Sequence, residues 1–188
     1  MLYMSSIAKL KAGLDSSYKT NDDARKILAT QGLKLDTSLS GQRAKVYVDN
    51  QGLATVAYRG TSNKKDIVTD GLIMAGLGRF TNRVKHSKKV MKEARNKYGD
   101  NTRAVGHSLG GYLAENSGSK GRVTTYNKLA TGRNTPNKKQ IDIRTSNDIP
   151  SLLTRPDKRN ITIGSKSNNP HVAHSTKSLK KKNVEKKK

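Results

Sequence analysis

Thr102-Arg103-Ala104-Val105-Gly106-His107-Ser108-Leu109-Gly110-Gly111 is the stretch on which the fold turns. Thr102 to Val105 read as a short buried strand, and a helix starts at Leu109. A chain can pass from strand to helix this abruptly only through a very tight turn. Such a turn pushes the Ser108 hydroxyl out above the sheet edge and leaves no room for side chains beside it, so Gly106 and Gly110 flank the serine. A bare Gly-x-Ser-x-Gly is a weak pattern in a chain rich in glycine and serine. Gly111, with the strand before and the helix after, makes it specific against the alternative of an ordinary glycine-rich connection.

Outward from this turn, the pattern repeats. Residues 79 to 98 read as an amphipathic helix, with Phe80, Val84, Val90, Met91, Ala94 and Tyr98 inside and the Lys and Arg side chains outside. Before it, Ala44 to Val48 and Leu53 to Tyr58 alternate around Asn50-Gln51-Gly52, a hairpin with a short glycine turn. After Gly118 to Gly121 stop the helix that begins at Leu109, Val123–Tyr126, Ile141–Thr145 and Ile161–Ile163 are further strands. Strand, helix, strand, helix, strand predicts an α/β fold with a mostly parallel sheet. Residues 1 to about 32 read as helix: Leu2, Ile7, Leu10 and Leu14 repeat at helical spacing, a further turn follows the cap signal Asn21-Asp22, and Gly32 ends it.

Composition narrows the function classes. The 188 residues fit one domain, but a hydrophobic fraction of 32% predicts that part of the chain is extension or tail. There is no cysteine, which excludes disulfides, thiol nucleophiles and cysteine metal sites. No run is apolar enough for a secretory signal or a membrane span, so a non-secreted, soluble protein is expected. Thirty-eight Lys and Arg against fourteen Asp and Glu give +24, of which the last twelve residues supply only +6. Such a field draws an anionic membrane surface, nucleic acid or an acidic protein partner, if it is more than a solubilising bias.

A serine hydroxyl attacks well only when a base removes its proton, so a histidine and an orienting carboxylate must lie downstream. His86 sits in the basic helix and His107 inside the turn, and both read as structural or surface residues. His171 and His174 remain, both in a polar loop after the last strand. Asp142, Asp148 and Asp157 qualify as the acid by order. Asp142 falls in the alternating run Ile141-Asp142-Ile143 and is expected to face solvent. Asp148 stands just past the end of that strand, where a loop acid belongs, or is simply a turn aspartate before proline.

Tyr58-Arg59-Gly60-Thr61, Gly106-His107-Ser108-Leu109-Gly110-Gly111, Asn147-Asp148-Ile149-Pro150 and Ala173-His174-Ser175 together resemble the class 3 lipase family of α/β hydrolases. The resemblance covers residues 44 to 176, with four motifs in the family's order. It implies a catalytic set of Ser108, Asp148 and His174, with His174 favoured over His171. It also implies an oxyanion hole from Thr61 and the backbone N–H of Leu109, and Asp70 as the aspartate supporting Thr61. Where the family carries Gly-x-Pro-Arg-Val-Gly, this chain has Tyr126-Asn-Lys-Leu-Ala-Thr-Gly. In size and basicity the chain looks more similar to lipase-like proteins encoded by large DNA viruses than to secreted fungal members, and a virion association is one expectation.

The fold expected is a truncated α/β-hydrolase-like domain over 41–176, with an N-terminal helical extension over 1–40 and a mobile Lys-rich tail over 177–188. The activity expected is hydrolysis of lipid carboxylic esters, acylglycerol or phospholipid, through an acyl-enzyme, without metal or cofactor. Leu72, Ile73, Met74 and Leu77 would line an acyl-binding surface or simply pack the core. Two rivals belong to other classes: a structural or lipid-docking module that keeps the fold, and a basic nucleic-acid-binding protein. The second lacks aromatic interleaving, zinc spacing and a helix-turn-helix pattern, so there the charge stands alone. Oligomeric state is not legible.

Overall fold

The structure, a computed structural model, describes residues 4–61, 81–129, 137–148, 160–164 and 169–179, with 4, 5, 81, 160, 170 and 171 described as backbone only. Asp70, Leu72 to Leu77, Phe80, Asp157 and residues 180–188 of the basic tail lie outside these residues.

In chain order the elements are α1 (Met4–Ser16), α2 (Asn21–Ala29), β1 (Lys34–Asp36), β2 (Ala44–Val48), β3 (Ala54–Tyr58) and α3 (Thr81–Tyr98). There follow β4 (Arg103–His107), α4 (Leu109–Glu115), β5 (Val123–Tyr126), β6 (Gln140–Thr145), β7 (Asn160–Ile163) and α5 (Pro170–His174). Among the described residues, no helix is long and apolar enough to cross a membrane.

Among the described residues, seven strands join one sheet in sequence order. The β2–β3 hairpin is antiparallel with Ala44 opposite Tyr58. Its turn is closed by the Asp49 carboxylate, which accepts the N–H groups of Gln51 and Leu53 at 3.0 Å each. From β3 to β7 every pairing is parallel. The expected strand 102–105 is shifted: β4 runs two residues further and delivers the chain directly to Ser108.

A parallel sheet that adds strands in one direction by right-handed crossovers places its crossover helices on one face. The other face must be covered by something else, and here α1 and α2 cover it. Val56 and Tyr58 of β3 and Ala104 of β4 pack with Met91 and Ala94 of α3 and with Leu113 of α4. Ala57, Val105, Tyr126 and Ile143 pack with Leu10 and Leu14 of α1 and Leu28 of α2. Neighbouring strand positions therefore serve opposite faces, both apolar, which is why the central strands read as short apolar runs. Burying a leucine as fully as Leu14 (0% exposed) stabilises the fold by about 2 kcal/mol.

The stretch 1–32 is not one helix. The Ser16 and Ser17 hydroxyls turn back onto the Gly13 and Leu14 carbonyls, closing α1. Thr20, rather than the expected Asn21-Asp22, caps α2 by accepting the Asp23 N–H at 3.2 Å. Strand β1 has no counterpart in the sequence pattern, since three residues carry too little alternation to read. Asp142 does not face solvent. It accepts from Thr125 Oγ1 at 2.5 Å, Gln140 Nε2 at 2.9 Å and Lys128 Nζ at 3.3 Å. Lys128 also pairs with Glu115 at 3.0 Å. Alternation gave an outward position, but the end of α4 covers that part of the sheet and turns it into a closed polar knot.

Candidate active site

Parallel pairing sets Tyr58 beside Gly106 and His107 beside Tyr126, so the carboxyl ends of β3, β4 and β5 form one edge. Ser108 stands on that edge with φ 56° and ψ −127°. For a residue with a Cβ this is a strained conformation, costing on the order of 1–3 kcal/mol unless its surroundings enforce it. They do. A Cβ on Gly106 would lie 2.0 Å from the Gly110 carbonyl oxygen, and one on Gly110 would lie 2.1 Å from that of Tyr58. The Ser108 N–H donates to Tyr126 at 3.1 Å, and its carbonyl accepts from Gly111 at 2.9 Å and Leu129 at 3.2 Å. The side chain makes no capping bond to the helix it opens.

Asp148 lies two turn residues past β6, and His174 ends α5. The His174 Nδ1 and an Asp148 carboxylate oxygen are 2.6 Å apart, with the two residues 4% and 0% exposed. A carboxylate only accepts, so Nδ1 carries a proton, and in the neutral imidazole it is Nε2 that holds the lone pair. That Nε2 is buried and has no hydrogen-bond partner among the described residues. The side chain of His171 lies outside the described residues.

The backbone of His174 is gripped from three sides. His107 Nε2 donates to the His174 carbonyl at 2.6 Å, and Asn127 Nδ2 donates to the same oxygen at 3.2 Å. The preceding carbonyl, of Ala173, accepts from Asn127 Nδ2 and Thr145 Oγ1, both at 2.9 Å. Asn127 sits at φ 43°, a region that asparagine tolerates better than most residues. Ser108 and Asn127 are the two non-glycine residues at positive φ among the described residues, and both belong to this site.

Because a carbonyl only accepts, His107 carries its proton on Nε2. Its Nδ1 therefore accepts from the Tyr18 hydroxyl at 2.9 Å. Burial, then the neighbouring His174, hold the His107 imidazole down to about 3, against the bond to the carbonyl. It stays neutral at ordinary pH. Burial pushes Tyr18 up to about 12, against a bond to the Gly60 backbone and the nearby Arg83 and Arg59. Tyr126, fully buried, is also pushed up, first by burial and then by the charge of Asp148.

Thr61 follows Gly60, and Gly60 is pressed against the turn: a Cβ there would lie 2.6 Å from the His107 carbonyl oxygen. Leu109, 1% exposed, is the first residue of α4, where helix geometry gives its N–H no partner inside the helix. Sequence reasoning missed Tyr18, Asn127 and Thr145 and set His107 aside. Only the last carried a local signal, its place inside the turn.

The fold and this edge define an α/β domain of the lipase type, a mostly parallel sheet flanked by helices. A family model described as phospholipase-like, a Tle-like phospholipase domain, matches residues 5–149, and the chain belongs to that family. The match spans Ser108 and Asp148 and ends before His174. Among solved structures, the chain is similar to the Rhizomucor miehei lipase propeptide complex, at 13% identity and a TM-score of 0.54, covering 95% of this chain and 78% of that one. It is also similar to a mutant form of MDLA from Penicillium cyclopium, at 15% identity and a TM-score of 0.49, covering 94% of this chain and 83% of that one. At 13% identity the likeness to the Rhizomucor lipase is one of fold. No curated protein sequence matches.

Proposed function

We propose that this chain hydrolyses carboxylic esters of lipids, with Ser108 as nucleophile, His174 as general base and Asp148 as the acid that orients it. The observation that carries the reading is the buried 2.6 Å contact between Asp148 and His174, which fixes the tautomer a base needs. Family membership and the strained turn at Ser108 support it.

In the reaction, His174 Nε2 takes the Ser108 proton as the oxygen attacks the ester carbonyl. The N–H groups of Thr61 and Leu109 hold the resulting oxyanion, each worth a few kcal/mol of barrier lowering. Collapse expels the alcohol, which takes its proton from His174. Water, deprotonated by the same nitrogen, then releases the acid and restores Ser108. Asp148 stabilises the imidazolium throughout and does not itself take the proton.

The test is steady-state hydrolysis of p-nitrophenyl acyl esters. Ser108→Ala and His174→Ala should each lower kcat by roughly four orders of magnitude, and Asp148→Asn by a similar amount through the wrong tautomer. His171→Ala should retain most activity. Full activity in His174→Ala with loss in His171→Ala would overturn the assignment of the base.

A further inference from the structure

Four cations gather at the strand edge beside Thr61. Ala44 pairs with Tyr58, so the next pair outward is Arg43 and Arg59, joined by the Arg59 N–H donating to the Arg43 carbonyl at 3.0 Å. Like charges facing each other across an antiparallel pair destabilise it. Arg83, entering from α3, donates its guanidinium to the Arg59 carbonyl at 2.6 Å. Lys45, 2% exposed, reaches only neutral acceptors, Asn21 Oδ1 at 2.8 Å and the Gly41 carbonyl at 2.7 Å.

None of these four side chains pairs with a carboxylate among the described residues. Among the described residues, acidic influences fall on their neighbours, Glu93 on His86 and Asp15 on Tyr18. Burial, then Arg43 and Arg59, depress Arg83, with Tyr18 opposing; burial, then Arg59, depress Lys45. A fold that concentrates cations in one half-buried place, with no carboxylate partner among the described residues, is stabilised by an anion there.

The place has an address. The Arg59 guanidinium lies 6.0 Å from the Tyr18 ring centre, and the Tyr18 hydroxyl binds His107, the neighbour of Ser108. We propose that Arg43, Arg59 and Arg83, backed by Lys45, form a binding site for a phosphate group at the rim of the candidate active site. Guanidinium forks match phosphate oxygens two at a time, which single ammonium groups do not. The phosphate is that of a lipid headgroup held while its ester is cleaved, or free phosphate. Only the first role rests on the ester-hydrolase reading.

Calorimetric titration tests the site without turnover. Inorganic phosphate is titrated into the wild type, and dihexanoylphosphatidylglycerol below its micelle concentration into Ser108→Ala, each with and without Arg43→Gln or Arg59→Gln. Saturable binding that weakens about tenfold per arginine, the scale of one charge-assisted hydrogen bond, is expected. Arg122→Gln removes the same charge from the separate basic groove shared with Arg103, Lys138 and Lys139, and should change affinity less than about twofold. Arg43 is exposed, so its variant keeps the fold even if Arg59→Gln does not.

Tighter binding of the lipid assigns the headgroup, and tighter binding of inorganic phosphate assigns the free ion; either supports the site. No saturable binding, or equal weakening in Arg122→Gln, overturns it. Because no arm needs turnover, a protein that binds phosphate but cleaves no ester would separate this proposal from the catalytic one.

Discussion

Ser108 is held at φ 56° by contacts that leave its neighbours no room, and that constraint is legible in the sequence itself. Only glycine fits where a Cβ would meet a carbonyl oxygen at 2.0–2.1 Å, so the Gly106 and Gly110 positions announce the turn directly. Gly110→Ala should cost about 1–3 kcal/mol through overpacking, read as a melting temperature several degrees lower. His107 was not legible in the same way. Its role depends on Tyr18 and His174, 89 and 67 residues away in sequence. With its imidazole held down to about 3, His107 is neutral when folded and protonated below about 6.5 when unfolded. The unfolded state then binds the extra proton, so stability is complete above about pH 6.5 and falls as pH drops towards 3. Melting curves across that range should show the slope in the wild type, and His107→Gln should flatten it.

At the level of elements, periodicity located helices and central strands but not what they press against. An amphipathic helix states which of its faces is apolar, yet α1 and α2 could not be assigned to the second face of the sheet by pattern alone. Asp142 failed for the same reason, since alternation gives a face and not what covers it. Strand β1 pairs with β2, buries Leu35 and is further tied down at its last residue. Asp36 accepts from Lys97 Nζ at 2.7 Å and the Tyr98 hydroxyl at 2.8 Å, tying β1 to the end of α3. Burial alone would raise the Asp36 carboxyl, but bonds from Lys97, Ser38 and Tyr98 outweigh it and hold the group well below the usual range. Its stabilisation is therefore present above about pH 4 and lost as pH falls further. Asp36→Asn should lose about 1–3 kcal/mol near neutrality in chemical denaturation, and the gap from the wild type should close in acid.

Across the whole molecule, the candidate site occupies the carboxyl ends of parallel strands, the position where open α/β sheets hold their chemistry. Three distant segments meet there: the β4–α4 turn, the loop after β6 and the end of α5. Sequence order and motif likeness named Ser108, Asp148 and His174. The grip on His174 by His107, Asn127 and Thr145 emerged only once the sheet brought them together. The charge of +24 follows a similar course, since composition gave its size and the strand register gave the place where arginines converge. The most direct test of the central claim is labelling of the folded protein with a fluorophosphonate probe, the adduct mapped by peptide mass spectrometry. A single adduct on Ser108, absent from Ser108→Ala and strongly slowed in His174→Ala, is the predicted result. A folded wild type that stays unlabelled, or carries its label elsewhere, would contradict it.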